Sequence, residues 1–390
     1  MREELFIGAN WTEEGKRRNQ TFEGQYRAIQ PYIEQTERWK VGQRYQFCPT
    51  PWQLESESVD TLERIGGSIG RAIKASNFDM AIGFRIDMVQ GKDGVFKVTE
   101  VQTDDRGLPE MAILRNAYGG KPIGTRGVIR GFKQAVTEKF PDCDSLVIVY
   151  PQGEEFYYAP FRDFTKFCRA EEGLPQEVWV LDDGEFDFET NEFLRGCYPE
   201  AKGRASAVYD FTESQAITKR CFEPVDKRFL LAAQSANTPL NNCDKETLKE
   251  SIPEVWDSDS LDKVDWQRKE QWVIKPIKGR WSKGVIFGEK ASRQEWQIAI
   301  NQVKRGEAII QRYIPPKVEW LPVRVETRKG EIIYKENSYM LRIEGYYFLD
   351  GDWEYQLEDV MITGRTEMPV HGRRDCIMVP AAVKDLKRTN

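Results

Sequence analysis

The chain has 390 residues, 40% of them hydrophobic and 31% charged, and a formal net charge of −6. A chain of this length predicts two or three domains and not one small core, and the negative charge disfavours a general nucleic-acid binder. No run approaches the roughly 18 to 20 apolar residues of a membrane span, and the charged N-terminal residues lack the apolar core of a secretory signal.

A single histidine and seven scattered cysteines, none in a C-x-x-C pair, narrow the possible chemistry. A multi-histidine metal centre or a Ser-His-Asp hydrolase is difficult to build with one histidine. The cysteine pattern predicts reduced thiols and neither a disulfide frame nor a zinc site. We therefore expect a cytoplasmic protein with neither a nucleic acid nor a membrane as its partner. The oligomeric state stays open.

Residues 1–140 form the first predicted part. A helix is predicted over residues 58–75, and an antiparallel hairpin follows it. The first strand of the hairpin ends at Val89, residues 91–94 form the turn, and residues 95–101 alternate as the second strand.

The predicted hairpin carries polar side chains along one face. Arg85 and Asp87 share a face of the first strand because side chains alternate, and Glu100, Gln102 and Asp104 share a face of the second. Pairing across the turn brings Asp87 close to Glu100. Two carboxylates and an amide oxygen are hard ligands of the kind that Mg²⁺ takes when it carries a nucleotide's phosphates, and Arg85 can hold a phosphate oxygen. The alternative is a charged hairpin that only faces solvent.

Residues 141–265 predict a small α/β unit, because strands and a helix alternate at the spacing of a parallel sheet with crossover helices. The predicted strands lie at 146–150, 178–181 and 207–211, and the helix lies at 161–172. A stretch rich in Asn, Thr and Pro at 237–244 predicts a loop.

Residues 266–390 change in character to strand pairs and turns. One strand ends in Lys275, and the loop after it is strongly cationic, with Lys278 and Arg280. A lysine at a strand end before a glycine-containing turn suits nucleotide phosphates. A second apolar strand at 307–316 stops at a Pro-Pro break, where the backbone can offer N–H and C=O groups to an adenine edge. The alternative is a basic surface hairpin followed by an ordinary core strand.

Together these pieces resemble the glutathionylspermidine synthetases and related circularly permuted ATP-grasp ligases, in their synthetase domain only. The R-x-D…K-x-x-E-x-Q-x-D run of residues 85–104 is similar to the metal-ligand motif of that family. The K-P…G-R…G-V loop at 275–285 and the Q-x-x-I-P segment at 311–315 are similar to its lysine half. The resemblance implies an α/β (α+β) protein with an ATP-grasp fold in circularly permuted order and an inserted pre-ATP-grasp α/β domain at 141–265.

The resemblance also implies a role for each matching residue. The implied Mg²⁺ ligands are Asp87, Glu100 and Gln102. The implied contacts of ATP are Arg85, Lys275, Lys278, Arg280, Gln311, Tyr313 and Arg342, and the residues implied in phosphoryl transfer are Arg85, Lys275 and Arg365. Gln102 departs from the asparagine usual in the family, and the loop at 279–284 lacks a small glycine-rich lid.

The implied function is an ATP-dependent ligase of a carboxylate with an amine, which forms ADP through an acyl phosphate and makes an amide or peptide-type bond. ATP and Mg²⁺ would be the cofactors, and the substrates would be small-molecule or peptide carboxylates and amines. Arg106, Arg126 and Arg130 are candidates for clamping the carboxylate, with solvated surface arginines as the alternative. A nucleotide-binding or regulatory homologue without turnover stays open, as does modification of a protein or peptide by the same chemistry.

Overall fold

The computed structural model describes residues 46–76, 81–103, 107–118, 122–152, 158–187, 189–190, 192–193, 205–210, 227–235, 238–277, 282–326, 332–352, 354–368 and 376–384, with positions 17, 20, 21, 23–25, 27 and 30. The predictions for Asp104, Arg106, Lys278 and Arg280 fall outside these residues.

The helices pack mainly against sheets. Those of the described part are α1 Ser56–Ala75, α2 Leu108–Tyr118, α3 Val128–Lys139, α4 Tyr158–Ala170, α5 Phe229–Gln234, α6 Asn242–Ser251 and α7 Arg293–Lys304. In α1, buried Leu62, Ile65 and Ile69 recur every three or four residues and form one apolar stripe. Gly66 lies in this stripe, where an added Cβ would stand 1.8 Å from Tyr347 Cε1. The helix therefore lies against the sheet more closely than any larger residue would allow.

The strands among the described residues form one large sheet and three smaller ones. In chain order they are β1 Gln46–Phe47, β2 Trp52–Leu54, β3 Gly83–Gln90, β4 Phe96–Gln102, β5 Ser145–Tyr150, β6 Glu177–Asp182, β7 Phe186–Asp187, β8 Glu192–Phe193, β9 Ala207–Asp210, β10 Val255–Trp256, β11 Trp272–Pro276, β12 Ile286–Phe287, β13 Ala308–Arg312, β14 Val318–Glu326, β15 Ile332–Leu349, β16 Tyr355–Arg365 and β17 Ile377–Val383.

The large sheet has eight strands and mixes parallel with antiparallel pairs. Its main order is β1-β17-β16-β15-β3-β4, with β2 also pairing to β17 and β14 to β15. Strands β1 and β2 run parallel to β17, and the other pairs are antiparallel. Strand β15 is long enough to pair with β14 through residues 332–340 and with β3 through residues 343–348. The fold is therefore a mixed α/β fold built around a large mixed sheet.

The two main smaller sheets differ in direction. Strands β10-β13-β11-β12 form an antiparallel sheet, and buried Trp296 and Ile300 of α7 pack against Ile274 and Ile310 of that sheet. Strands β6-β5-β9 form a parallel sheet. One buried cluster joins the large sheet, α1 and a face of the parallel sheet.

Most predicted elements are confirmed. The helix predicted over 58–75 is α1, which begins two residues earlier, and the predicted hairpin is β3–β4. The strands predicted in the middle part are β5, β6 and β9, and they are parallel as expected. Among the described residues, no helix combines the length and apolar character needed to cross a membrane.

Two local expectations differ from the structure. The loop predicted at 237–244 is wrong at its end, because α6 begins at Asn242, with the Asn241 side chain accepting from the Asp244 N–H at 2.9 Å. Helix α7 was not predicted, although Ser292 and Glu295 form a capping box at its start.

The antiparallel sheet crosses the predicted boundary at residue 266. Strand β10 pairs with β13, so this sheet includes residues that come before position 266. The division into three domains stays a prediction.

Candidate functional site

The β3–β4 hairpin forms the polar face that the sequence predicts. Asp87 pairs with Glu100, and Arg85 pairs with Gln102. The predicted closeness of Asp87 and Glu100 is therefore confirmed. Residues paired directly across two strands share a face of the sheet, so all four side chains lie on one side.

A β-bulge follows the pair of Asp87 with Glu100. Met88 pairs with Val98, which leaves Thr99 outside the regular register. The Thr99 hydroxyl donates to the backbone carbonyl of Asp87 at 3.0 Å. Bulges bend a strand and redirect its groups, and here the backbone carbonyl of Thr99 becomes the acceptor of a lysine from another sheet.

Arg85 lies almost buried on this face and joins its polar side chains. Its Nε donates to Asp87 Oδ1 at 2.7 Å, and its Nη2 donates to Gln102 Oε1 at 2.8 Å. Its Nη1 lies 3.4 Å from Glu344 Oε2. The guanidinium thus contacts three different side chains of the large sheet.

Strands β15 and β16 extend the site with residues far away in sequence. Glu344 stands opposite Asp87, and Thr363 stands opposite Arg342. Arg342 Nε donates to Glu344 Oε1 at 3.0 Å and to Thr363 Oγ1 at 3.1 Å, and Nη1 donates to Asp87 Oδ2 at 3.2 Å. The Thr363 hydroxyl donates to Glu344 Oε1 at 2.9 Å. Sequence reasoning found Arg342 but neither Glu344 nor Thr363.

We call Arg85, Asp87, Arg342 and Glu344 the arginine–carboxylate cluster. Two positive and two negative charges balance within it. Burial by itself raises the pKa of Asp87, but the neighbouring Arg342 and Arg85 outweigh burial and hold that pKa below its usual value. Burial lowers the pKa of Arg342, and Asp87 and Glu344 reverse this effect and leave it raised. Asp87 and Arg342 therefore hold each other in the charged state.

Two lysines from outside the large sheet contact the β3–β4 hairpin. Lys275, at the end of β11, donates to the Thr99 carbonyl at 2.8 Å and to Gln311 Oε1 at 2.6 Å. Lys227 Nζ lies 3.3 Å from Glu100 Oε1. Burial, above all, lowers the pKa of Lys275 to about 8, and the nearby Lys227 adds to this effect. Lys227 was not found from the sequence, because only the fold brings it to Glu100.

One face of the antiparallel sheet contacts the β3–β4 hairpin. Gln311 and Lys275 lie on that face, and the Gln311 side chain is buried between Lys275 and the Val98 carbonyl, to which its Nε2 donates at 3.4 Å. The Gln311 side chain therefore contacts Lys275, and its contact with adenine stays a prediction. Further along, the rings of Phe287 and Tyr313 meet edge to face at 5.6 Å between centroids.

The other predicted arginines fall in different places. Arg365 ends β16 on the same face as Thr363, opposite Met340, so it borders the cluster. Arg126 donates through Nε to Glu358 Oε1 at 2.5 Å and through its two other nitrogens to backbone carbonyls, so it is occupied as a structural group. Arg130 is exposed and pairs with Glu171. A role for Arg126 or Arg130 in clamping a substrate carboxylate stays a prediction.

The predicted Mg²⁺ ligands differ in their surroundings. Both oxygens of Asp87 accept from arginines, whereas the Glu100 side chain is 28% exposed. Among the described residues, no group of three or more His, Cys, Asp or Glu is arranged to hold a metal ion. Mg²⁺ that carries a nucleotide needs only one or two protein carboxylates, because phosphates and waters complete its shell. Glu100 supplies one such carboxylate, and the Gln102 amide oxygen on the same face accepts from Arg85 Nη2 at 2.8 Å.

Comparison with known proteins gives a likeness in structure. No protein-family model and no curated protein matches the sequence. The chain is similar to a glutathione synthetase-like effector from Globodera pallida, solved in its apo form, with 10% sequence identity and a TM-score of 0.54 over 91% of this chain and 97% of that one. The chain therefore shares the fold of that effector, and its mixed α/β architecture is consistent with an ATP-grasp-like synthetase fold.

A second solved structure is more distant. It is a protein from Methylobacillus flagellatus, provisionally named gamma-glutamylcysteine synthetase, with 10% identity and a TM-score of 0.42 over 79% of this chain and 80% of that chain. The assignment of the ATP-grasp-like fold therefore depends on the first likeness, which extends over nearly the whole of both chains.

Proposed function

We propose that the site formed by the two lysines, the β3–β4 hairpin and the arginine–carboxylate cluster binds ATP, and that the protein is an ATP-dependent carboxylate–amine ligase that forms ADP. One observation carries the proposal. The Lys275 ammonium lies 2.8 Å from the carbonyl of Thr99, next to Glu100, so the lysine strand and the carboxylate hairpin meet at one place. An anion with several charged oxygens, such as a triphosphate, matches such a set of lysines, arginines and a carboxylate. The ATP-grasp-like fold supports the same conclusion.

The triphosphate would lie between the two lysines and the arginine–carboxylate cluster. Lys275 and Lys227 would neutralise the inner phosphates, and Arg85 with Arg342 would hold the phosphoryl group that is transferred. Phe287 and Tyr313 would frame the adenine, with the backbone near Tyr313 at its edge. In this arrangement Gln311 is a positioning residue, because its side chain holds Lys275.

Mg²⁺ would be held by Glu100 and Gln102, and when bound it would neutralise phosphate charge and fix the geometry of the phosphates. Asp87, also predicted as a ligand, contributes chiefly by neutralising and orienting Arg85 and Arg342. The division is one of degree, since the oxygens of Asp87 accept three arginine N–H groups at 2.7, 3.2 and 3.4 Å, whereas the Gln102 oxygen accepts one at 2.8 Å and keeps a second lone pair.

The chemistry needs positioning and charge neutralisation more than a protein nucleophile. A substrate carboxylate oxygen attacks the γ-phosphorus and ADP leaves, which gives an acyl phosphate. The amine then attacks the acyl carbon, and phosphate leaves as the amide forms. Arg85 and Arg342 would stabilise the charge that develops on the transferred group. Arg365, at the border of the cluster, would meet the incoming carboxylate.

The order of the chain supports the finer part of the proposal. The carboxylate hairpin at 83–102 precedes the lysine strand at 272–276, and the parallel β6-β5-β9 sheet lies between them in sequence. This is the order of a circularly permuted ATP-grasp ligase with an inserted α/β domain, as in the glutathionylspermidine synthetases. We place the protein in the cytoplasm, with a small-molecule or peptide carboxylate and an amine as substrates.

The proposal is tested by thermal unfolding with and without Mg·AMPPNP, followed by an assay of ADP release. Ligand at about 100 times its dissociation constant should stabilise the wild type by roughly 2.7 kcal/mol. Lys275→Ala and Glu100→Ala should lose this shift, and the exposed Lys384→Ala should keep it. A shift of equal size in Lys275→Ala would place the nucleotide elsewhere.

A second candidate is a nucleotide-binding or regulatory protein that does not turn over. The observation that favours it is the pairing of Asp87 with both arginines, because the cluster is neutral and complete in the absence of phosphate. The two functions separate in the assay of ADP release: a ligase releases ADP only when a carboxylate and an amine are both supplied, whereas a binding protein releases none with any pair.

A further inference from the structure

Glu100 is the more open of the two carboxylates that pair across the β3–β4 hairpin, and it already has a counter-ion. Its side chain is 28% exposed, whereas that of Asp87 is 2% exposed. Lys227 Nζ lies 3.3 Å from Glu100 Oε1, and the Lys227 side chain is 10% exposed. An ammonium therefore stands on the carboxylate that the proposed metal ion would use.

Lys227 comes from outside the hairpin, on a backbone that is held in place. It lies two residues before α5, whose Phe229 and Leu230 are buried in the main hydrophobic cluster. At the other end of α5, Gln234 Nε2 donates to the Ile252 carbonyl at 2.9 Å. A lysine carries a compact charge on a flexible four-carbon stem. The ammonium can therefore change partners while the backbone stays where it is.

Lys275 lies within electrostatic reach of both members of this ion pair. Burial lowers the pKa of Lys275 most, and beyond burial the charge of Glu100 raises that pKa and the charge of Lys227 lowers it. The three groups therefore act on one another as charges. An anion bound to Lys275 would attract the Lys227 ammonium as well.

We propose that Lys227 is an exchangeable counter-ion of Glu100. It neutralises this carboxylate before substrates arrive, and it moves to a phosphate oxygen when a divalent cation replaces it on Glu100. The inference depends on the proposed function, to which it adds a residue that links the binding of metal to the binding of nucleotide.

The balance of charge favours this exchange over binding of the metal alone. A divalent cation that arrives alone has to displace one ammonium and then lie near two of them, because Lys275 remains in place. A triphosphate that arrives with the cation brings several negative charges, so the displaced ammonium of Lys227 gains a new partner. Metal and nucleotide should therefore strengthen each other's binding by the same factor.

The test measures the binding of a metal alone, with Mn²⁺ as the probe. Mn²⁺ takes the same oxygen ligands as Mg²⁺, and the electron paramagnetic resonance signal of free Mn²⁺ falls as it binds. Lys227→Met and Lys227→Gln remove the charge, Lys227→Arg keeps it, and a double variant combines Lys227→Met with Glu100→Gln. The matched control is Lys384→Met, which removes the ammonium of the exposed pair with Glu55.

In the absence of nucleotide, we expect both neutral variants of Lys227 to bind Mn²⁺ about tenfold more tightly than wild type. Lys227→Arg and Lys384→Met should bind Mn²⁺ as wild type does, and the double variant should lose the gain. Binding of Mn²⁺ to the neutral variants that is absent or no tighter than in wild type would overturn the proposal. A gain that persists in the double variant would do the same, because the exchange would then not occur at Glu100.

A second titration follows the ammonium to its new partner. AMPPNP, added in the absence of any divalent metal, should bind Lys227→Met about tenfold more weakly than wild type, and Lys384→Met should bind it unchanged. Binding to Lys227→Met as tight as to wild type would overturn the transfer of Lys227 to phosphate. Failure of the proposed function is seen separately, as a lack of AMPPNP binding by every protein with or without metal, since Mn²⁺ binding is measured without nucleotide.

Discussion

Asp87→Asn separates the two roles that this aspartate can have. The side chain is 2% exposed, and its carboxylate accepts N–H groups of Arg85 and Arg342. The substitution keeps the shape and removes one negative charge, so two buried arginines remain against Glu344 alone. Breaking a buried ion pair by removing one partner costs about 3–5 kcal/mol. We expect Asp87→Asn to lose about this much stability in the complete absence of metal and nucleotide.

The assay is urea unfolding at neutral pH, followed by tryptophan fluorescence, with the free energy of unfolding taken from the linear dependence on urea. A matched control is Glu55→Gln, which removes one partner of the exposed pair between Lys384 and Glu55. Exposed pairs contribute little, so this change should stay within about 0.5 kcal/mol of wild type.

The pH dependence gives an independent check. The pKa of Asp87 is lowered in the folded protein from an ordinary value of 3.8, so its stabilising contribution is present above that value and is lost as the pH falls below it toward the folded pKa. The difference between wild type and Asp87→Asn should therefore be full at neutral pH and shrink in acid. A variant as stable as wild type at neutral pH would refute the reasoning and leave Asp87 as a metal ligand only.

Three further outcomes follow from the contacts. In the proposed site, nucleotide binding needs the Lys275 ammonium, whose pKa is about 8. The dissociation constant of Mg·AMPPNP should therefore rise by up to about tenfold per pH unit above that value. In Lys275→Arg, which stays charged, the dissociation constant should not change over the same pH series. Thr363→Val removes a hydroxyl that hydrogen-bonds with both Arg342 and Glu344. It should lower the free energy of unfolding in urea by about 1–3 kcal/mol. An unchanged value would show that the hydroxyl is dispensable. Gly66→Ala should destabilise the protein by about 3 kcal/mol, because its Cβ would stand 1.8 Å from a buried tyrosine ring. The control Gly67→Ala, whose Cβ would have its nearest atom at 3.4 Å, should stabilise the protein by about 0.5–1 kcal/mol. Equal effects in the thermal melts of the two variants would contradict the close packing.

Local patterns predicted much of the fold. The β3–β4 hairpin has alternating side chains and a glycine-containing turn, and the strands of the parallel sheet are short apolar runs, so each is encoded within a few neighbouring residues. Helix α7 is encoded locally as well, since the Ser292 and Glu295 spacing of its capping box is visible in the sequence. Residues 266–390 were predicted to form strands and turns, so this helix was missed although its signal is present.

The candidate site was only partly predictable, for a different reason. Asp87 and Glu100 come together through a short hairpin, so their pairing follows from strand alternation. Glu344 reaches Asp87 only through the register of β15 against β3, and Lys227 reaches Glu100 across more than a hundred residues of chain. No short pattern encodes such pairs. The role of Gln311 was assigned from resemblance, and its actual neighbour, Lys275, became visible only in three dimensions.

Strand β15 also has a consequence for how the protein is made. Strand β3 ends at Gln90 and pairs on one edge with β15, which begins at Ile332. At about 5–20 residues per second, a ribosome needs roughly 12 to 50 seconds to synthesise the intervening chain. During that time the hairpin exposes an unpaired edge, including the backbone beside Asp87, to other nascent chains. Slow stretches of translation before β15 should therefore lower the yield of folded protein, and chaperones that shield strand edges should restore it.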